Sequence, residues 1–335
     1  MLITRLDPTT ARAAIDLANR APSVHNSQPW RWRIGESSIH LFADPDRALP
    51  ATDPDGRGLR LSCGAALHHV RVALLAAGLG TAVRRFPDPA HPLHLASLEP
   101  HPARPTADDL SLAAAVPNRR SDRRMFSTWP VPDPLLDMLT GAAAGEGAHL
   151  AVLELESQRQ AVAGLVERAA VVQALTPDVA QETAAWTGRI RGAAEGVPAA
   201  NVPRRPDGTV PVRHFVAGEQ DQVALGRDET DGTVLAVLTT DTDDPPAQLR
   251  AGEALSAVLL TATRIGLATD PISQPLEVAE TRAELAGALG DLSGRPQVLL
   301  RLGWAPVAAP PVPRSGRRPV EDTIDRMDAP WQASS

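Results

Sequence analysis

Residues 61–81 (LSCGAALHHVRVALLAAGLGT) align without a gap on residues 249–269 (LRAGEALSAVLLTATRIGLAT), with eight of 21 positions identical. The shared pairs are Leu61/Leu249, Gly64/Gly252, Ala66/Ala254, Leu67/Leu255, Val70/Val258, Gly78/Gly266, Leu79/Leu267 and Thr81/Thr269. Both copies read as an apolar helix opened near a glycine and closed by Gly-Leu, which suits a left-handed helix stop. Two Ala/Leu-rich helices can match by chance, but the polar motifs around them divide unevenly. The first half carries PSVHNSQPW at 22–30, and the second has nothing comparable. The second half carries Arg119-x-Ser121-x-Arg123, and the first has no counterpart. A fused dimer that kept one site and lost its twin has this pattern. The chain is thereby constrained to two halves of one architecture around a single site.

At 335 residues the chain is long enough for two domains or one elaborated domain. It is 43% apolar with 4 Phe, 6 Trp and no Tyr, so its core must come from Leu, Val and Ala. No run approaches the ~20 apolar residues of a membrane span. The start (MLITRLDPTTARAA) has an early acid and no apolar h-region, so no signal peptide is expected. The single Cys63 cannot form an internal disulfide, which fits a reducing, cytoplasmic setting. Lysine is absent, and all 33 basic side chains are Arg. That excludes lysine Schiff-base chemistry and a P-loop, so a phosphate must be held by Arg, backbone N–H groups or hydroxyls. A net charge of −7 argues against a nucleic-acid partner.

The pattern predicts a helix over 9–20 with Thr9 or Thr10 as N-cap and Pro22 as the stop. WRWRI (30–34) and SIHLFAD (38–44) read as a hairpin around Gly35-Glu36. Residues 91–100 suit a strand, and 101–117 reads as a Pro-containing junction. Next come a helix at 134–144, a strand at 149–155 and a helical region from 157 to about 190. Residues 191–217 are rich in Gly, Pro and Arg, a composition of loops, and their length suits a functional lid. TVLAVLTT (233–240) and PQVLLRLGWA (296–305) read as strands flanking the second repeat helix. Helices and strands mix without strict alternation, so the fold class is α+β.

In an extended segment, residues two apart share a face, so Arg119, Ser121 and Arg123 would converge on one ligand. Two guanidinium forks and a hydroxyl suit a phosphate dianion; an exposed basic turn capped by Ser121 remains the alternative. Ser23, Asn26 and Gln28 offer short donors and acceptors in a loop stiffened by Pro22 and Pro29, suited to a planar heterocycle or to a plain turn. His25 reads as a satisfied loop histidine, with no carboxylate partner in sight. DPISQPLE (270–277) either brings backbone N–H groups to a flat ligand or simply connects two helices. SGRRPVEDTI (315–324) adds Arg317, with Arg314 just before it, as late cations or as a solvated tail.

Together these segments resemble the nitroreductase family, FMN-binding α+β homodimers with flavin at the subunit interface. With PSxxNxQPW placed before RxSxR, and with CGAAL (63–67) and PISQPLE (271–277), the chain looks like the Acg-like actinobacterial branch. That branch fuses two nitroreductase modules, each with a central, mainly antiparallel sheet flanked by helices. The resemblance implies a degenerate N-terminal module over 1–110 and a C-terminal module over 111–335, with the lid at 191–217. It assigns Arg119, Ser121, Arg123 and Arg317 to the FMN phosphate, with Arg314 counted among the cofactor-binding residues. Pro22, Ser23 and Asn26 would complete the site from the first half, with Gln28 supporting them. Ile272, Ser273 and Gln274 would lie near the flavin N5 and O4 edge, largely through backbone. GAAAGEGAH (141–149) stands where the second PSxxN loop belongs, and the family's lysine contacts are missing. One FMN per chain follows, in a monomeric pseudo-dimer or a homodimer. The implied activity is hydride transfer from NAD(P)H, the candidate reductant, to a small-molecule nitro, quinone or other conjugated acceptor. A flavin-sequestering protein and a specialised biosynthetic flavin dehydrogenase are the alternatives.

Overall fold

The two repeat segments form the central helices of the molecule. The computed structural model describes residues 6–204, 212–213, 215, 218–220, 231–289, 294–306 and 309–325. The first half runs α1 (Pro8–Ala18), β1 (Trp30–Ile34), β2 (Ile39–Ala43), α2 (Arg57–Ala76), β3 (Leu79–Arg85) and β4 (His94–Pro102). After α3 (Ala107–Ala115) the second half runs α4 (Asp133–Gly145), β5 (His149–Val152), α5 (Glu156–Leu175), α6 (Pro177–Trp186) and β6 (Val234–Thr240). It continues with α7 (Pro245–Arg264), β7 (Ala268–Ile272), α8 (Gln274–Glu277), α9 (Ala279–Ala288) and β8 (Arg295–Gly303). A final short strand, β9 (Ile324–Asp325), ends the described chain.

The strand orders are β3-β4-β2-β1-β9 and β5-β6-β8-β7. Matching β1, β2, α2, β3 and β4 to β5, β6, α7, β7 and β8 gives the same neighbours in both sheets. All pairings are antiparallel except β1 with β9. The fold is α+β, two modules each built on a mainly antiparallel sheet.

Helices α2 and α7 cross at their shared glycines. A Cβ on Gly64 would lie 2.0 Å from the Leu249 carbonyl oxygen, and a Cβ on Gly252 would lie 2.0 Å from that of Leu61. These contacts are reciprocal between repeat partners, as at a two-fold interface. Leu249 inserts into the core of the first half, and Leu61 packs on that of the second. Both helices stop on a glycine with positive φ, Gly78 at 85° and Gly266 at 86°, as the Gly-Leu motif predicts.

Several local expectations are corrected. Helix α1 starts at Pro8, and its N-cap is Asp7, whose carboxylate accepts from the Thr10 N–H at 2.8 Å. Proline at the first helical position moves the start ahead of Thr9. The junction at 101–117 contains α3, opened by a reciprocal Thr106–Asp109 capping box. It packs on both α2 and α7, and the division at 110/111 falls inside it. The helical region after 157 breaks at Thr176, because Pro177 can begin a helix but cannot continue one. Strand β3 was not expected, since its half-buried face alternates too weakly to register.

The tail then returns to the first half. Trp32 pairs with Ile324 and Arg33 with Asp325, and the Asn19 amide donates to the Thr323 hydroxyl at 2.9 Å. This return carries residues 314–318 across the end of α1. The lone Cys63 is buried, its thiol on the Pro29 carbonyl, and burial pushes the thiol pKa far up.

Candidate functional site

Between the halves lies a cavity of about 1140 Å³, counted to its open mouth. Leu61 of α2 and Leu255 of α7 contribute to its lining from the helix crossing. Of the expected residues, Pro22, Ser23 and Asn26 line it from the first half. Arg119, Ser121, Arg123, Ser273, Arg314 and Arg317 line it from the second.

The loop after α1 is held in an unusual conformation. His25, Asn26 and Gln28 have φ of 52°, 55° and 53°, which non-glycine residues rarely adopt. Such strain persists only where surroundings impose it. The Ser23 hydroxyl accepts from the Gln28 N–H at 3.0 Å. The Asn26 amide donates to the carbonyls of Gly196 at 3.1 Å and Gly316 at 3.2 Å. Gln28, fully buried behind the cavity, donates to the Ala194 carbonyl at 2.8 Å and accepts from the Arg318 N–H at 2.9 Å. It supports the loop and does not line the cavity.

One pole of the cavity is an uncompensated cationic cluster. The Arg119 guanidinium donates only to the Arg20 carbonyl, at 3.3 Å, and its Nε and Nη1 have no partner among the described residues. Arg317 donates to the carbonyls of Gly316, Ser315, Arg20 and Ala21, and its Nε is unpartnered. Burial, then Arg120, pulls Arg119 down to about 10. Burial, then Arg119, Arg20 and Arg120, pulls Arg317 down to about 9. Both remain charged at neutral pH in surroundings that disfavour the charge. Leaving a buried donor unmade costs about 1–3 kcal/mol, more for a charged group.

The other pole is balanced. Arg123 lies 3.9 Å from Asp270, donates to the Asn201 carbonyl at 3.2 Å and sits 5.0 Å from the Phe215 ring centre. Arg213 makes a two-pronged ion pair with Glu277, at 2.5 and 2.8 Å, and the Ser273 hydroxyl donates to the same carboxylate at 2.7 Å. Burial pushes Glu277 up, but Arg213 and the hydroxyl more than offset it and hold the carboxyl at about 2. His25 is 5% exposed and packs edge-on against Phe215.

Arg119, Ser121 and Arg123, expected to converge on one ligand, all line the cavity, but the two arginines have different neighbours. Residues 119–123 form no regular strand, so the two-residue alternation does not hold; Arg119 sits on the Arg20 carbonyl, and Arg123 by Asp270 and the Asn201 carbonyl. Ile272 and Gln274, expected to act largely through backbone, do not line the cavity with their side chains. Ile272 is fully buried in the core beside α5, because alternation on β7 turns Pro271 and Ser273 to the cavity instead. Gln274 turns away, donating to the Gln173 side chain of α5 at 2.8 Å. Sequence reasoning missed His25, Arg20, Arg120, Asn201, Arg213 and Phe215 as lining residues. His25 carried a signal, being inside the quoted motif. Arg213 and Phe215 carried none, because they arrive from a segment without periodicity.

That segment forms part of the cavity wall. Val197, Asn201, Arg213 and Phe215 line the cavity, Arg47 pairs with Glu195, and the Asn201 amide donates to the Pro313 carbonyl at 2.6 Å. Residues 205–211, 214 and 216–217 of the expected lid lie outside the described residues.

The two halves differ at equivalent positions. Eleven residues (19–29) join α1 to β1, whereas three (146–148) join α4 to β5. By the repeat offset Ser273 corresponds to Arg85, which makes a two-pronged pair with the fully buried Glu253 at 2.7 and 3.0 Å. Arg71 bridges Glu253 and Glu146 at 3.1 and 2.6 Å. Ion pairs thus surround the position that the repeat makes equivalent to Ser273.

The "Putative NAD(P)H nitroreductase Rv3131" of Mycobacterium tuberculosis H37Rv is 43% identical over 320 residues, 95% of this chain and 92% of its own length. The chain belongs to the nitroreductase family. It is an oxidoreductase of the Acg-like branch. The "Putative NAD(P)H nitroreductase acg" of the same strain is 35% identical over 96% of this chain and 97% of its own length. No family model matches. A nitroreductase with bound FMN from Desulfitobacterium hafniense covers 64% of this chain and 97% of its own, with TM-score 0.40 and 17% identity. The assignment rests on the sequence relatives.

Proposed function

We propose that the cavity binds one FMN per chain and that the protein is an FMN-dependent oxidoreductase using NAD(P)H. The phosphate would be held at the Arg119–Arg317 pole and the ring system at the Arg213–Phe215 pole. The observation that carries this is the pair of enclosed, uncompensated arginines with unmade hydrogen bonds, which suit a phosphate dianion. The names of the mycobacterial relatives support the nicotinamide reductant. When bound, FMN would supply the hydride chemistry, passing it to a small nitro, quinone or other conjugated acceptor. The chain's own part is to hold the phosphate, fix the 22–28 loop against the ring and exclude water with Phe215 and Val197. Released flavin measured against protein should give a ratio near one, in a particle that light scattering sizes as a monomer. A ratio near two, or a colourless protein that FMN cannot reconstitute, defeats this reading.

The wall formed by Val197, Asn201, Arg213 and Phe215 favours a second reading, a flavin store with restricted access for nicotinamide. Under it, wild type oxidises NAD(P)H slowly while dithionite reduces the flavin at once. Phe215→Ala, assayed at saturating FMN, should then raise NAD(P)H oxidation several-fold. Brisk wild-type turnover removes the storage reading.

A further inference from the structure

His25 meets three conditions that together define a hydrogen-bond donor awaiting a ligand. It lines the cavity while being almost entirely buried. Its Nε2 lies 3.2 Å from Arg213 Nη2. A guanidinium only donates, so Nε2 must accept, and a neutral ring accepting at Nε2 carries its proton on Nδ1. That Nδ1 is sealed from solvent and has no partner among the described residues.

The charged groups facing the ring are Arg213, Glu277 and Arg123. Burial, then Arg213, outweighs Glu277 and lowers the His25 pKa to about 3, so the ring is neutral over the working pH range. Arg213 is itself held by Glu277, which is held in turn by Ser273. The chain Ser273–Glu277–Arg213–His25 thus runs from the second half to the first and leaves one N–H unused at its end. Arg213 is neutralised by Glu277, and Arg123 is offset by Asp270. This pole therefore calls for an uncharged lone-pair oxygen, whereas the Arg119–Arg317 pole calls for an anion. Phe215, edge-on to the imidazole at 6.4 Å between ring centres, adds an aromatic wall beside the ring.

We propose that His25 donates, through Nδ1–H, to a ring-carbonyl, quinone or nitro oxygen of the ligand seated against Phe215, and that Arg213 and Glu277 are positioning residues fixing its tautomer. The proposal rests on the reading of the cavity as a flavin site. It goes beyond that reading by assigning the specificity of the ring pole to a neutral donor.

The test uses full-length protein with ¹⁵N-labelled histidine, the His25 signal being identified by its loss in His25→Asn. Expected first is an Nδ1–H tautomer that does not titrate between pH 5 and 9 (roughly the window around an unperturbed imidazole). Next, FMN is added alone, then FMN with a naphthoquinone or a nitrobenzoate. A downfield shift of the Nδ1 proton with FMN alone assigns the bond to a flavin oxygen. A shift only on adding the quinone or nitro compound assigns it to the acceptor. An Nε2–H tautomer, or an unmoved proton with FMN demonstrably bound, overturns the proposal. A protein that takes up no flavin instead fails the cavity reading, and shows this as missing visible absorbance.

His25→Ala should lower FMN affinity or acceptor kcat/KM, whichever the shift indicates, by roughly two- to tenfold, the range for one neutral hydrogen bond. Asparagine keeps a donor near the Nδ1 position and tolerates the left-handed backbone there. His25→Asn should therefore recover to within about twofold of wild type, a rescue that a purely structural role for the imidazole does not predict. Equal losses in the two variants also overturn the proposal.

Discussion

Arg119→Ala and Arg317→Ala should each weaken FMN binding by about 1.5–3 kcal/mol, roughly 10- to 150-fold in Kd. The range is that of hydrogen bonds to a charged group, and both side chains enclose unmade donors at the same pole. Their combined effect should fall short of the sum, because both would meet one phosphate. Riboflavin, which lacks the phosphate, should bind wild type and variants alike. Equal loss of riboflavin affinity would mean that the arginines act through folding. A second readout has the opposite sign. Among the described residues Arg119 has a single weak hydrogen bond and no carboxylate partner, so Arg119→Met should raise the Tm of the FMN-free protein while weakening the flavin complex. A fall in both would argue that the guanidinium is structural.

The helix crossing gives the other large effect. Gly64→Ala places a methyl 2.0 Å from the Leu249 carbonyl oxygen and 2.9 Å from the Gly252 Cα, both backbone atoms that cannot swing aside. The helices must separate, at a cost of about 3 kcal/mol or more, the upper end for overpacked cores. Gly252→Ala should match it, because its contacts are the mirror set. Gly164, exposed in α5 with nothing near its Cβ position, is the control. Gly164→Ala should gain about 0.5–1 kcal/mol from backbone entropy. Urea unfolding of the three variants separates these outcomes, and a mild Gly64→Ala would show that the crossing is loose. Leu61 and Leu255 reach the cavity from the two crossing helices, so FMN affinity should fall with the stability of the Gly64 and Gly252 variants.

Strong periodic segments were legible in the sequence. The hairpin at 30–43, the strands at 234–240 and 295–303 and both repeat helices follow from apolar patterning and glycine stops. Strand β3 was not, because its alternation is shallow, and α3 was obscured by the prolines around it although its Thr106–Asp109 box was present. At the site, Arg119, Arg317, Ser23 and Asn26 could be named because each lies in a short motif. His25 was named but read as inert, since its decisive partner, Arg213, is 188 residues away.

The sequence by itself determined that the chain is a duplicated α+β scaffold with one surviving set of polar motifs, and that any phosphate must be held by arginine. Those properties are local or compositional: a repeat, a glycine stop, the absence of lysine. Only the tertiary structure decided how the motifs share the work. It gave Arg119 and Arg123 different neighbours, turned Ile272 into the core and Ser273 into the cavity, brought the 314–318 tail over α1, and set the Arg71–Glu146–Glu253–Arg85 ion pairs around the repeat equivalent of Ser273. The reason is that burial and charge compensation belong to neighbours in space. An arginine far from its carboxylate in sequence can be ion-paired in the fold, as Arg213 is with Glu277, and one within a few residues of acids can have no counter-ion among the described residues, as Arg119 does.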